Sequence, residues 1–136
     1  MFKKYGVFLS ILLIMVMLFT GCNQNGQNTV DKIKSEAEQQ TLVYFFSKHC
    51  SVCQEEKPIW EELKEKEKEN FNFISVDVDD FRNKDIIDLF SIETLPTFVL
   101  LNKDGSVYTV GEGFHSEVQL INLLEEAAKA TTSKGE

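Results

Sequence analysis

The chain has 136 residues, with 22 Asp and Glu against 14 Lys and Arg, and a formal charge of −8. That length builds one core and not two, and so acidic a chain is a poor partner for nucleic acid or for an anionic membrane surface. Three cysteines are too few for a disulfide framework, so each has to be explained by its own position.

Residues 1–21 read as an export segment. Lys3 and Lys4 precede an almost wholly apolar run over 5–19, and Thr20-Gly21 puts small residues ahead of Cys22. This layout resembles the lipobox of bacterial lipoproteins, with Phe19 where that family usually has Leu. The resemblance implies that Cys22 carries lipid and heads the mature chain. Simple secretion and an uncleaved N-terminal anchor are the other readings, the apolar run being a little short of a full span. All three place the domain outside the cytoplasm, and the lipid reading anchors it to the bacterial cell membrane through Cys22. Losing Lys3 and Lys4 with the leader takes the formal charge to about −10, so the tether has to be the N-terminus. Residues 22–28 continue from Cys22 in Asn, Gln and Gly, a flexible linker.

A single domain is expected over 29–130. Val30, Ile33 and Ala37 recur at helical spacing, which predicts a short helix over 29–39. Thr41–Phe46 has the β-branched and aromatic content of a buried strand. From Val52 to Glu69 the residues favour helix, with Ile59, Trp60 and Leu63 inward and a solvated Glu/Lys face outward. Pro58 falls inside it and costs it a hydrogen bond. Residues 71–78 alternate as a second strand, with Asp79 and Asp80 as its solvated end. Ile86–Phe90 is a short helix, 97–101 a third strand, and Asn102-Lys103-Asp104-Gly105 a hairpin turn. A fourth strand over 106–110 is expected to be broken by Gly111 and Gly113. Ser116 then caps a last helix over 118–130, and residues 131–136 fray. This order predicts an α/β fold, a mixed central sheet with helices on both faces.

The chemistry lies in Cys50-Ser51-Val52-Cys53, between the first strand and the long helix. Thiols at i and i+3 can close a small disulfide ring, and the first sits at the positive end of the helix dipole. That position favours thiolate, the species that attacks disulfides. Cys50 is therefore the expected nucleophile, and Cys53, one turn in, the shielded thiol that resolves a mixed disulfide. His49, when charged, would stabilise the Cys50 thiolate. No cofactor is required, because the two electrons reside in the cysteine pair.

Four markers share one set of spacings: Leu42-Val43 and Phe45 ahead of Cys50, Pro58 five residues after Cys53, Leu95-Pro96-Thr97 opening the third strand, and Gly113 eight residues after Gly105. With them the chain resembles the thioredoxin family over nearly all of residues 29–130. The resemblance implies a thioredoxin-like fold, and a cis Pro96 with the backbone of Leu95 presented to a bound substrate strand. It also brings His115 close to the cysteines, but adjacent His49 and Cys50 suit a single ion poorly, and no metal site is assigned. Ser51-Val52 and His49 depart from the family pattern. So do Tyr44 and Ser75, which stand where many thioredoxins have a buried Asp and its lysine partner. Those two departures predict a site with no buried acid behind Cys53, slow resolution, and kinship with exported, specialised relatives.

Together these readings describe a membrane-tethered extracytoplasmic thiol–disulfide oxidoreductase. Its partners would be client protein thiols or disulfides and a second, membrane redox protein that resets the pair. The alternative is a redox-inactive thioredoxin-like binding module serving a secretion or envelope partner.

Overall fold

The computed structural model describes residue 33 and residues 38–132. The leader, Cys22, the linker, most of the helix expected over 29–39 and the last four residues lie outside them.

The elements run β1 (Thr41–Phe46), α1 (Ser51–Glu67), β2 (Asn72–Asp77), a 3-10 turn (Phe81–Asn83) leading into α2 (Lys84–Phe90), β3 (Thr97–Leu101), β4 (Val107–Glu112) and α3 (Glu117–Thr132). The sheet order is β2-β1-β3-β4. β1 pairs parallel with β2 and antiparallel with β3, and β3 pairs antiparallel with β4. The parallel pair needs a crossover, which α1 supplies.

Two small cores, one on each face, hold this sheet. Leu42 and Tyr44 of β1 and Phe98 and Leu100 of β3 point one way, into Trp60 and Leu63 of α1 and Leu120, Leu124 and Ala127 of α3. Their neighbours Val43, Phe45, Val99 and Leu101 point the other way, toward Val76, Ile86 and the helical residue Ile33. Alternation along a strand sends successive side chains to opposite faces. Strands apolar on both faces are therefore the central ones, which is where β1 and β3 lie. On the surface, Lys66 pairs with Glu62 at 2.8 Å and with Glu117 at 2.6 Å, tying α1 to the start of α3.

Three boundaries differ from expectation for local reasons. β4 runs through Gly111 to Glu112 and does not break at Gly111, because Gly111 pairs with Phe98 in the ladder. Glycine there marks a close approach and not a strand end: a Cβ on Gly111 would lie 2.7 Å from Nε2 of His115. α3 extends through Thr131 and Thr132, with the Thr131 hydroxyl donating to the Ala128 carbonyl at 2.8 Å. Asp79 and Asp80 are more than a solvated strand end: Asp80 caps the 3-10 turn through the Arg82 amide, and Asp79 holds the loop described below.

The hairpin forms as expected, with Gly105 at φ 78° and its N–H donating to the Asn102 carbonyl at 2.9 Å. Ser116 caps α3 as expected. Its hydroxyl accepts from the Gln119 amide at 3.4 Å, while Gln119 Oε1 accepts from the Ser116 amide at 2.9 Å, a reciprocal box.

Candidate active site

β1 ends at Phe46, and the chain reaches the helix through Ser47-Lys48-His49. Asp79, at the end of the neighbouring β2 segment, shapes this connection. Its carboxylate accepts from the Ser47 hydroxyl at 2.7 Å and from the Lys48 amide at 3.2 Å. The Ser47 hydroxyl accepts in turn from the His49 amide at 3.0 Å, and Gln54 Nε2 donates to the Lys48 carbonyl at 2.8 Å. The loop is thereby held from both sides, and Cys50 is delivered to the N-cap of α1.

At that cap, Cys50 Sγ accepts from the Cys53 amide at 3.2 Å. The first turn of α1 contains no acidic residue, so nothing there offsets the positive end of the dipole. Cys50 and Cys53 are joined as a disulfide, with Cα atoms 5.2 Å apart. The two sulfurs differ in access: Cys50 is half-buried, whereas Cys53 is 3% exposed. The His49 side chain is exposed and has no hydrogen-bond or ion-pair partner among the described residues.

Pro96 arrives at the same end of the sheet, because the β1–β3 register sets Phe45 opposite Thr97. The Leu95–Pro96 bond is cis, Pro96 is buried and Leu95 half-buried. Thr97 Oγ1 donates to the Thr94 carbonyl at 2.7 Å, and the Gly113 amide donates to the Pro96 carbonyl at 2.8 Å. That last bond draws the segment after β4 over the site, and His115 with it.

Behind the disulfide stands a residue that no sequence motif marks. Glu56, one turn after Cys53 on the inner face of α1, has no solvent exposure. Its Oε1 accepts from the His115 amide at 2.6 Å, and its Oε2 has no partner among the described residues. Burial pushes the carboxyl up from 4.5 to about 7, with the His115 amide opposing the rise. The hydroxyl of Tyr44, wholly inside the same core, donates to the Cys53 carbonyl at 3.2 Å. Burial and the nearby Glu56 raise the phenol well above its usual value. Tyr44 pairs with Ser75 in the β1–β2 ladder, and Ser75 accepts from Trp60 Nε1 at 2.9 Å. Tyr44, Cys53, Trp60 and Ser75 line a cleft of about 330 Å³ beside the inner sulfur.

A protein-family model described as Thioredoxin matches residues 22–126. The chain belongs to the thioredoxin family. Thioredoxin Y2, a chloroplast protein of Arabidopsis thaliana, is 29% identical over 100 residues, which are 74% of this chain and 58% of that protein. A thioredoxin of Borreliella burgdorferi is 27% identical over 89 residues, 65% of this chain and 74% of its own length. Among solved structures, one titled as thioredoxin-2, a component of malaria parasite protein secretion machinery, superposes with a TM-score of 0.60 at 26% identity. That alignment covers 65% of this chain and 82% of that one. The chain thus spans little more than half the length of the chloroplast Y-type thioredoxins it matches.

This thioredoxin-family site corrects one expectation. A buried acid does stand behind Cys53, supplied by the helix and not by β1. A signal for it was present, because the buried positions Cys53, Glu56, Trp60 and Leu63 of α1 follow one helical stripe. Asp79 carries no comparable signal, since its role depends on the pairing of β1 with β2.

The raised Glu56 carboxyl has a consequence for stability. The folded state keeps a proton that the unfolded chain releases above about pH 4.5. The proton-linked stability is therefore full below that pH and is lost as pH rises through about 7. In denaturant titrations of the oxidised full-length protein, the wild type should lose about 3 kcal/mol across that window relative to Glu56→Gln. Parallel pH profiles for the two proteins would contradict the assignment.

Proposed function

We propose that this chain is a membrane-tethered, extracytoplasmic thiol–disulfide oxidoreductase that exchanges disulfides with exported proteins. Membership of the thioredoxin family supports thiol–disulfide exchange in general. The observation that carries the redox reading is the asymmetry of the cysteine pair. One sulfur sits accessible at an uncompensated helix N-terminus, and the other is sealed inside within one turn of a buried carboxyl.

In the reducing direction, the Cys50 thiolate attacks a client disulfide. The client S–S bond breaks, one client sulfur leaves as a thiolate that takes a proton from water, and the other stays bonded to Cys50. Cys53 then gives its proton to the Glu56 carboxylate and attacks Cys50 Sγ. The second client sulfur leaves, the Cys50–Cys53 disulfide forms, and the client has gained two electrons. A membrane redox protein restores the dithiol by the same exchange in reverse. The backbone of Leu95, beside cis Pro96, is the edge on which an extended client segment would pair. His49, at the mouth of the site, would favour the Cys50 thiolate when charged.

The cysteine assignment is tested by trapping. In the native envelope, Cys53→Ala should accumulate mixed disulfides through Cys50, seen as reducible bands on gels and identified by mass. Cys50→Ala should accumulate few, its remaining sulfur being shielded. If neither variant captures a client, and a double Cys→Ser variant supports the cell as well as wild type, the chain is a binding module instead.

The tether rests on Lys3, Lys4, the apolar run and Thr20-Gly21-Cys22. Growth with labelled fatty acid should label the wild-type chain and leave Cys22→Ser unlabelled. An unlipidated mature chain still beginning at Met1 would point to the uncleaved anchor.

A further inference from the structure

Glu56 can accept the Cys53 proton only while it is ionised, yet its surroundings oppose ionisation. Cys53 precedes Glu56 by one turn on the buried stripe of α1, and Tyr44 from β1 and His115 from the segment after β4 come near its carboxyl. Tyr44 stays neutral and Cys53 is the proton donor. Lys48 and Lys57 line the cleft beside Cys53 but are exposed. His115, 4.0 Å from Oε1, is therefore the cationic candidate at the carboxyl itself. Glu117, at the start of α3, is engaged by Lys66.

The geometry of His115 suits that role. Its Nδ1 lies 2.7 Å from the Gly113 carbonyl oxygen. A carbonyl only accepts, so Nδ1 carries the hydrogen, and Nε2 is the nitrogen left to take up a proton. The same Nδ1 lies 4.0 Å from Glu56 Oε1, and the side chain is 21% exposed whereas Glu56 is sealed. The ring stands edge-on to Phe98, centroids 5.5 Å apart, and rests over Gly111, where a Cβ would come within 2.7 Å of Nε2. An imidazole so placed can exchange a proton with water while its positive charge falls on the buried carboxylate.

We propose that His115 is a positioning residue for the resolving step, a switchable counter-charge that lets Glu56 hold its negative charge inside the protein. Proton uptake by His115 at Nε2 accompanies proton release from Glu56, so the pair keeps one proton and shifts it from the buried partner to the exposed one. The carboxylate formed then takes the Cys53 proton. When the new Cys50–Cys53 disulfide has formed, Glu56 holds that proton and His115 returns its own to water. Gly111 belongs to the device because it leaves room for the ring. The inference rests on the oxidoreductase reading above, and its test separates the two.

The test uses the reduced full-length protein and a dithiobis-nitrobenzoate probe. One coloured thiolate is released when Cys50 is modified, and a second when Cys53 resolves the mixed disulfide. The rate of the second release is followed from about pH 5 to about pH 9. His115→Leu retains the backbone amide that bonds Glu56 and removes only the ring. It should move the half-maximal pH of resolution upward by about half a unit or more, because the carboxylate then forms without a counter-charge. Gly111→Ala, which changes no titrating group, should move it in the same direction by displacing the ring. In a Glu56→Gln background, His115→Leu should cause no further shift. Slower resolution at every pH with an unmoved midpoint, in both His115→Leu and Gly111→Ala, would overturn the proposal and leave the oxidoreductase reading standing. A wild-type protein that shows no second release would overturn both.

Discussion

A carboxyl group with no solvent exposure, placed between a helix and the sheet it covers, constrains everything around it. Burying an ionisable group without partners costs several kcal/mol, so the fold has to supply at least one hydrogen bond and then limit the charge. The bond comes from the His115 amide to Glu56 Oε1. That amide is in reach because Gly113, at φ 80°, turns the chain after β4 and donates to the Pro96 carbonyl. The cis-proline segment, the glycine turn and the helix that carries both cysteines are thus joined through one buried acid. What they leave open is Oε2, the atom that has no partner among the described residues and can take a proton.

This arrangement also accounts for Tyr44 and Ser75. An acid on β1 would share the space behind the disulfide with Glu56, and two carboxylates close together cannot both ionise. In its place β1 offers a phenol, which fills the core against Phe46, Trp60 and Phe98 with ring centroids 4.8 to 5.4 Å apart. Its hydroxyl finds the Cys53 carbonyl. With no acid on β1 there is no work for a lysine on β2, and Ser75 binds the Trp60 indole nitrogen. The outcome is a buried carboxyl on the helix and none on β1, one turn beyond Cys53. On the outer side the two ends of the pair remain distinct, since Cys50 faces the helix dipole and Asp79 holds the loop that presents it.

Much of this was legible in the residues. β1 and β3 are apolar on both faces after their opening threonines, Thr41 and Thr97, which suits the central places they take in the sheet, and the Cys50–Cys53 spacing at a strand–helix junction located the site. Two local rules misled. Glycine weakens strands and so points to an end of β4 at Gly111, but the space it leaves is filled by a ring from four residues on, a contact that spacing does not reveal. Glu56 lies in the polar run Gln54-Glu55-Glu56-Lys57, whose composition gives no sign of a buried position. Its phase with Cys53, Trp60 and Leu63 placed it inside, and on a helix phase outweighs residue type. The partners of Asp79 and His115 lie on other elements, so their roles depend on register and turn geometry and became readable only in three dimensions.

The central claim is that Glu56 is the buried proton acceptor behind Cys53. Carboxyl carbon-13 resonances of the reduced full-length protein, followed through a pH titration and assigned by comparison with Glu56→Gln, test it most directly. The account predicts a Glu56 resonance that titrates near pH 7 and changes its midpoint in Cys53→Ser, where the proton donor is gone. A Glu56 resonance that titrates near 4.5, with the same midpoint whether or not Cys53 is present, would contradict it.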